Sequence, residues 1–207
     1  MGKNSSAARI SILGLFAAII ILQNYVPMIG YIPVGPLNIT TIHITVIIAA
    51  VVLGPGDGAL IGGVWGIVDW IRALTVTSSA LGNIVMVNPL ISVLPRILIG
   101  LVAGWLFSSL VRDKSKLTAP LVVSGIAGSL TNTILVLGGI ALFFGNGATV
   151  LHAINFQALT PYILFVAGTN GIPEAIAAAF LVPLISTPLL KYTKLGKERF
   201  KRISEVK

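Results

Sequence analysis

Apolar runs follow one another along the chain, and each break between them is built from Gly, Pro, Asn or charged residues. Read for length and for those breakers, the pattern predicts six helices, at roughly 8–28, 38–54, 58–75, 88–111, 119–144 and 168–190. The second and third are short. At about 1.5 Å per residue each spans only about 25 Å, so they need a thin region or screening by neighbouring helices. The first run, Ile10 to Leu22, has the basic flank of a signal peptide, but Gln23–Asn24–Tyr25 offers no small-x-small cleavage site. It is therefore expected to stay as the first helix. Pro-Leu-Ile-Ser occurs at 89–92 and again at 183–186, at opposite faces of the expected bundle, so it marks no repeat.

Composition turns this helix series into a membrane protein. Of 207 residues 56% are apolar and 10% charged, against roughly 25% charged in soluble domains. With a mean hydropathy of +0.99, the expectation is an all-α integral protein of the cell membrane, multi-pass, with one membrane domain over residues 1–207. The net charge of +8 gains meaning once it is divided: +2 lies in residues 1–9, +2 in 112–116, +5 in 191–207 and −1 in everything between. Such patches flanking apolar runs place both termini and the 112–116 loop in the cytoplasm and do not form a nucleic-acid face. The 191–207 segment reads as a basic stop-transfer tail that also touches anionic lipid. The outer connections, 29–37, 76–87 and 145–167, hold no Lys, Arg, Asp or Glu and suit lids over a pocket.

Several chemistries are unsupported. There is no cysteine, and the Gly54–Pro55–Gly56–Asp57–Gly58 turn lacks the lysine of a phosphate-binding loop, so this chain is not expected to hydrolyse ATP. His43 and His152 stand far apart without a carboxylate cluster, which argues against a metal site. No nucleophile–base pair suggests an enzyme, and no acidic ring or carbonyl filter suggests a channel.

Ionisable groups inside spans cost a few kcal/mol each, so a role is the default expectation for every one. Asp69 and Arg72, three apart near the outer end of the third helix, either pair with each other or meet a polar ligand. Arg96, about 12 Å deep in the fourth, either braces a carbonyl or Asp69, or awaits a substrate carboxylate. Glu174 follows Asn170–Gly171–Ile172–Pro173, where stabilisation by a helix N-terminus would suffice to explain it. His43 is surrounded by Asn38, Thr40, Thr41 and Thr45. Asn83, Asn88, Asn132, Asn155, Gln157 and Asn170 gather at the same outer level, with Tyr25, Tyr31, Trp65, Trp70, Phe156 and Tyr162 able to close over them. Together they suggest an outward-opening pocket for a small molecule rich in hydroxyls or amides. Small residues recur at Ala7, Ser11, Gly14 and Ala18, at Gly58, Gly62 and Gly66, and at Ala175, Ala178 and Ala179. Such stripes permit close packing, internal or against another membrane subunit.

Four stretches then carry a resemblance: the Ala/Ser/Gly face of the first helix, Thr41–Ile48, Leu53–Ala59, and Asn88–Gly100 with its Asn-Pro-Leu-Ile-Ser-Val-Leu-Pro-Arg run. In these and in its six-helix length the chain resembles the substrate-binding S components of energy-coupling factor vitamin transporters, and most of all their pantothenate-type members. Thr45 departs from that pattern, standing where many such sequences have proline. The resemblance implies capture of a vitamin from outside, docking on a membrane coupling (T) subunit through Ala7, Ser11, Gly14 and Ala18, and two cytoplasmic ATPases that use ATP and Mg. It implies no cofactor on this chain, and delivery by tipping of the whole subunit in the membrane. For pantothenate, Arg96 or Arg72 would meet the carboxylate, with His43, Asn83, Asn132 and Asn170 for hydrogen bonds and Asp69, Trp70 and Glu174 nearby. The alternatives are a pyridoxine or hydroxymethylpyrimidine substrate, which would want aromatic stacking, and a stand-alone secondary transporter or channel.

Overall fold

The computed structural model describes residues 3–26, 28–32, 39–75, 82–113, 116–144 and 159–206. In chain order these form α1 (Lys3–Tyr25), the strands β1 (Tyr31–Ile32) and β2 (Ile39–Thr40), α2 (Ile42–Leu53), α3 (Pro55–Thr75), α4 (Gly82–Val85), α5 (Pro89–Ser92), α6 (Leu94–Leu110), α7 (Thr118–Phe144), α8 (Leu159–Val166), α9 (Ile172–Tyr192) and α10 (Lys194–Val206). Ala167–Gly171 is a single π turn that joins α8 to α9 without a break.

The shortest apolar helix organises the bundle. Every residue of α2 except Thr45 is buried, and at about 1.5 Å per residue its twelve residues span about 18 Å. A helix apolar all round has no solvent face, so it belongs in the interior, and α3, α6, α7 and α9 all pack on it. The screening predicted for a short second helix is therefore provided by protein. Outside this core the large side chains face outward: Leu142 is 79% exposed, Phe180 72% and Trp105 65%. This inversion of a soluble fold is the signature of a lipid-facing wall. The apolar stretches Ala8–Tyr25, Pro89–Leu110, Thr118–Phe144 and Thr160–Tyr192 are each long enough to cross a bilayer.

Lipid is as apolar as leucine, so close packing has to hold such helices together. The α3 stripe serves that end. A Cβ on Gly62 would strike the carbonyl of Arg96, one on Gly66 the backbone of Val93, and one on Gly100 the backbone of Gly58. The stripe is thus internal, and it sets the α3–α6 distance by contact of backbones. The turn between α2 and α3 rests on Gly54, whose φ of 122° suits glycine and whose N–H closes α2 on the carbonyl of Ala50 at 3.0 Å.

Three expectations change. The first helix is displaced, ending at Tyr25 and not at 28, and the connection after it pairs as a two-residue antiparallel ribbon, Tyr31 opposite Thr40. The last spanning segment is helical from Leu159 rather than from 168, because the π turn absorbs Gly168, Asn170 and Gly171 without ending the helix. The basic tail is a further helix. One face of α10 buries Arg199, Phe200 and Ile203 against the bundle, and Arg199 donates to the carbonyls of Val51 at 3.0 Å and Gly104 at 3.3 Å. It thereby satisfies the carbonyl of Val51 near the end of α2, four residues before Pro55, which has no N–H to offer it. Burial, and then the charge of Arg202, push the Arg199 guanidinium down to about 10.

A glycine comparison tests the α3–α6 contact. Gly62→Ala is expected to destabilise the detergent-solubilised protein by about 2 kcal/mol or more, as overpacking against a backbone does. Gly138→Ala, whose Cβ meets nothing within 4 Å, should be neutral or slightly stabilising in the same thermal melts.

Candidate substrate site

A polar cluster occupies the end of the bundle opposite α10. At its centre is Arg96, in the first turn of α6 and 4% exposed. One terminal nitrogen, Nη2, donates to Asp69 Oδ2 at 3.0 Å, the other, Nη1, to the carbonyl of Ile91 at 2.8 Å, and the guanidinium lies 4.8 Å over the ring of Trp65. Both bracing partners foreseen for Arg96, a carbonyl and Asp69, are present together. The Asp69–Arg72 pair does not form: Asp69 turns to Arg96, and Arg72 lies 4.7 Å over the ring of Tyr31.

Tyr31 links this pair to the rest of the cluster. Its hydroxyl donates to Asp69 Oδ1 at 2.8 Å, accepts from Trp65 Nε1 at 3.3 Å and lies 3.3 Å from Asn24 Oδ1. Burial, and then the Asp69 charge, push its phenol well above the usual tyrosine range. Across the ribbon, the backbone N–H of Thr40 donates to Glu174 Oε1 at 2.7 Å. The end-of-helix explanation for Glu174 fails, because α8, the π turn and α9 run on continuously and leave no free N-terminus there. Glu174 instead anchors the ribbon to α9. The connection between α1 and α2 is thereby tied at Tyr31 to α3 and at Thr40 to α9.

Beside these committed groups lie polar atoms without hydrogen bonds. His43 is fully buried near the carbonyls of Thr40 and Glu174, yet neither ring nitrogen closes a hydrogen bond. Arg96 Nε, Asn132 Oδ1 and Ser129 Oγ are likewise unpartnered. Helix register relates them. A Cβ on Gly128 of α7 would touch Ile47 of α2, so one turn further along these oppositely running helices His43 and Asn132 reach a common level. A Cβ on Gly171 would meet Thr133, which brings the π turn and Asn170 to that level. There Thr169 Oγ1 donates to Asn170 Oδ1 at 2.9 Å. A π turn within a helix is a frequent mark of a functional site.

The structure therefore brings together Arg96, Asp69, Arg72, Glu174 and His43, with Asn132 and Asn170 on the adjoining helices. Trp70 is drawn elsewhere, its Nε1 donating to the carbonyl of Val87 at 2.8 Å. The side chain of Asn83, and all of Asn38, His152, Asn155, Phe156 and Gln157, lie outside the described residues. Sequence reasoning missed Asn24 and underrated Tyr31 and Trp65, treating both as lid aromatics. Their one sequence signal was that a Tyr hydroxyl and a Trp N–H need partners when buried. On α1, Ser11, Gly14 and Ala18 face outward, and a Cβ on Gly14 would meet nothing within 4 Å. The side chain of Ala7 lies outside the described ones.

Residues 8–186 match the family model described as "ECF transporter, substrate-specific component". The chain is 33% identical over 199 residues to the pantothenate transporter PanT of Leuconostoc mesenteroides, covering 91% of this chain and 95% of that one. It is 30% identical over 203 residues to the pantothenic acid transporter PanT of Lactococcus lactis, covering 91% and 97%. Among solved structures it is similar in fold to ThiT from Listeria monocytogenes, with a TM-score of 0.63, 15% identity, and coverage of 92% of this chain and 98% of that one.

Removing one member of a buried ion pair strands the other. Asp69→Ala and Arg96→Ala are each expected to cost about 3–5 kcal/mol in denaturation of the detergent-solubilised protein. The double variant should lose at least about 1 kcal/mol less than their sum. Strict additivity would mean that the two charges do not support each other.

Proposed function

The chain belongs to the family of ECF transporter substrate-specific components, and from that premise we propose that it captures pantothenate on the outer side of the cell membrane. It is a vitamin-binding transport subunit of the membrane. The finer reading rests on the cluster's chemistry and on two relatives that carry pantothenate in their names.

Pantothenate offers one carboxylate, one amide and two hydroxyls. One observation favours Arg72 for the carboxylate: its guanidinium lies on Tyr31, beside the Asp69–Arg96 pair, and makes no ion pair among the described residues. Stacking on a ring uses the guanidinium's face and leaves its N–H fork for a bidentate carboxylate. Arg96, already neutralised by Asp69, is the brace and offers its spare Nε–H. His43, Asn132 and Asn170 supply donors and acceptors for the amide and hydroxyls. The face of Trp65 already lies under Arg96, which makes a stacked heterocycle such as pyridoxine the weaker fit.

In this reading six segments cross the membrane: α1, α2, α3, α5 with α6, α7, and α8 with α9. The basic end, with both termini, lies in the cytoplasm. The outward face of α1 at Ser11, Gly14 and Ala18 meets the coupling subunit, and two ATPases drive the cycle with ATP and Mg. Release follows tipping of the subunit.

Titration calorimetry with pantothenate and with its uncharged alcohol analogue separates charge from shape. The wild type should prefer pantothenate. Arg72→Gln should weaken pantothenate about 10-fold or more, a 1.4 kcal/mol loss, while barely changing the alcohol. A wild type that ignores pantothenate but binds pyridoxine would overturn the assignment. Gly14→Leu should abolish co-purification with the coupling subunit and leave pantothenate affinity within about 2-fold. Uptake into vesicles lacking the coupling subunit and ATPases would instead support a stand-alone transporter.

A further inference from the structure

The end of the molecule opposite the Arg96 cluster carries a second feature. The start of α1, the α2–α3 turn and α10 surround a cleft of about 570 Å³, a size within the roughly 300–1,000 Å³ of small-molecule sites. Its floor is apolar, from Ile12, Leu53 and Leu195, and its rim carries Lys194, Lys201 and Arg202. Arg9 and Asp57 also border it but are bonded to each other, with Arg9 Nε 3.1 and 3.0 Å from the two carboxylate oxygens, so their charges cancel locally. Among the described residues that line the cleft, the three rim cations meet one further acid, Glu198, so cations outnumber acids there. The buried face of α10 adds to it, since Arg199 is held there by backbone carbonyls and a hydroxyl, Ser108 Oγ.

Position decides what kind of anion fits. One residue, Thr193, separates α10 from the last spanning helix, which ends at Tyr192, so the cleft sits at the boundary between bilayer and water. From Ile12 the exposed apolar residues Leu15, Ile19 and Leu22 run up α1 into the bilayer. A free phosphate would use the rim and leave the apolar floor unfilled, whereas a phospholipid uses both.

We propose that this cleft holds the headgroup of an anionic phospholipid from the leaflet on the side of the termini. The phosphate lies among Lys194, Lys201 and Arg202, the glycerol rests on Ile12, Leu53 and Leu195, and the acyl chains leave along Leu15, Ile19 and Leu22. The lipid bridges α1 and α10, and so fastens the C-terminal helix to the bundle beside Arg199.

Native mass spectrometry of the full chain from neutral detergent tests this, with added phosphatidylglycerol, with phosphatidylcholine of the same chains, and with inorganic phosphate. The wild type should retain one phosphatidylglycerol, about 10-fold over phosphatidylcholine. The triple variant Lys194→Gln, Lys201→Gln, Arg202→Gln should lose that preference while keeping its melting temperature in lipid-free detergent and its affinity for pantothenate. Equal retention of the two lipids, displacement by millimolar phosphate, or a variant that still prefers phosphatidylglycerol would overturn the proposal. So would a variant that keeps the lipid but no longer co-purifies with the coupling subunit, which would make the cleft a protein-docking surface.

Discussion

A guanidinium buried in a helix bundle must be solvated by protein, and the half of this molecule opposite α10 is arranged around that need. Desolvating an ion costs several kcal/mol, which a single partner repays only with good geometry and further hydrogen bonds. Arg96 receives a carboxylate from α3, a carbonyl from the end of α5 and the face of Trp65. Asp69, taken from water for that purpose, is completed by the hydroxyl of Tyr31. Tyr31 is reached only because the chain between α1 and α2 pairs as a ribbon, and the ribbon is held at its other strand by Glu174. One buried charge thus fixes the positions of α3, α6, the ribbon and α9.

That network works only if α3 and α6 stand at one distance. Gly62 meets the carbonyl of the same residue, Arg96, whose side chain bonds Asp69 two turns along α3. Backbone contact and ion pair are therefore two readings of one helix crossing. At the other end Arg199 plays a comparable part on carbonyls of α2 and α6. The central apolar helix α2 lies between two arginine-organised layers, and both fasten it through elements that surround it. The layers differ in what is left over: the Arg96 layer keeps unbonded groups in its interior, the Arg199 layer keeps cations on its rim.

Much of this was legible in the residues. Hydropathy found the long apolar helices because lipid demands uninterrupted apolar length, and Arg96 with Asp69 stood out because charges are rare there. The glycine stripe was visible, but its direction was not, since a stripe looks the same facing a neighbour or a partner. The ribbon was invisible: two residues per strand cannot show an alternation. α10 was read as a tail because its composition is basic, although its apolar positions at Leu195, Phe200 and Ile203 lie on the face that packs. The continuous helix through Gly168–Gly171 contradicted the breaker rule because a π turn accommodates what an α turn would end.

In the proposed reading, the charge count of the Arg96 cluster constrains how an anion enters it. Arg96 is taken by Asp69, so on that reading a bound carboxylate has Arg72 for its counter-charge, and any excess negative charge contributed by Glu174 falls beside it. Deep in the bundle that excess would weigh heavily, since charge interactions strengthen as the effective dielectric falls. At the rim of the cluster, beside the partly exposed Arg72, water screens it. For the pantothenate proposed above, the same reasoning gives the deep unbonded groups, His43, Asn132 and Arg96 Nε, to the uncharged portion of the molecule. A buried hydrogen-bonding site rejects a molecule that leaves its groups unpaired far more strongly than an apolar site rejects a missing methylene. In the proposed reading, selection therefore belongs to the deep hydrogen bonds, and capture to the arginine at the rim.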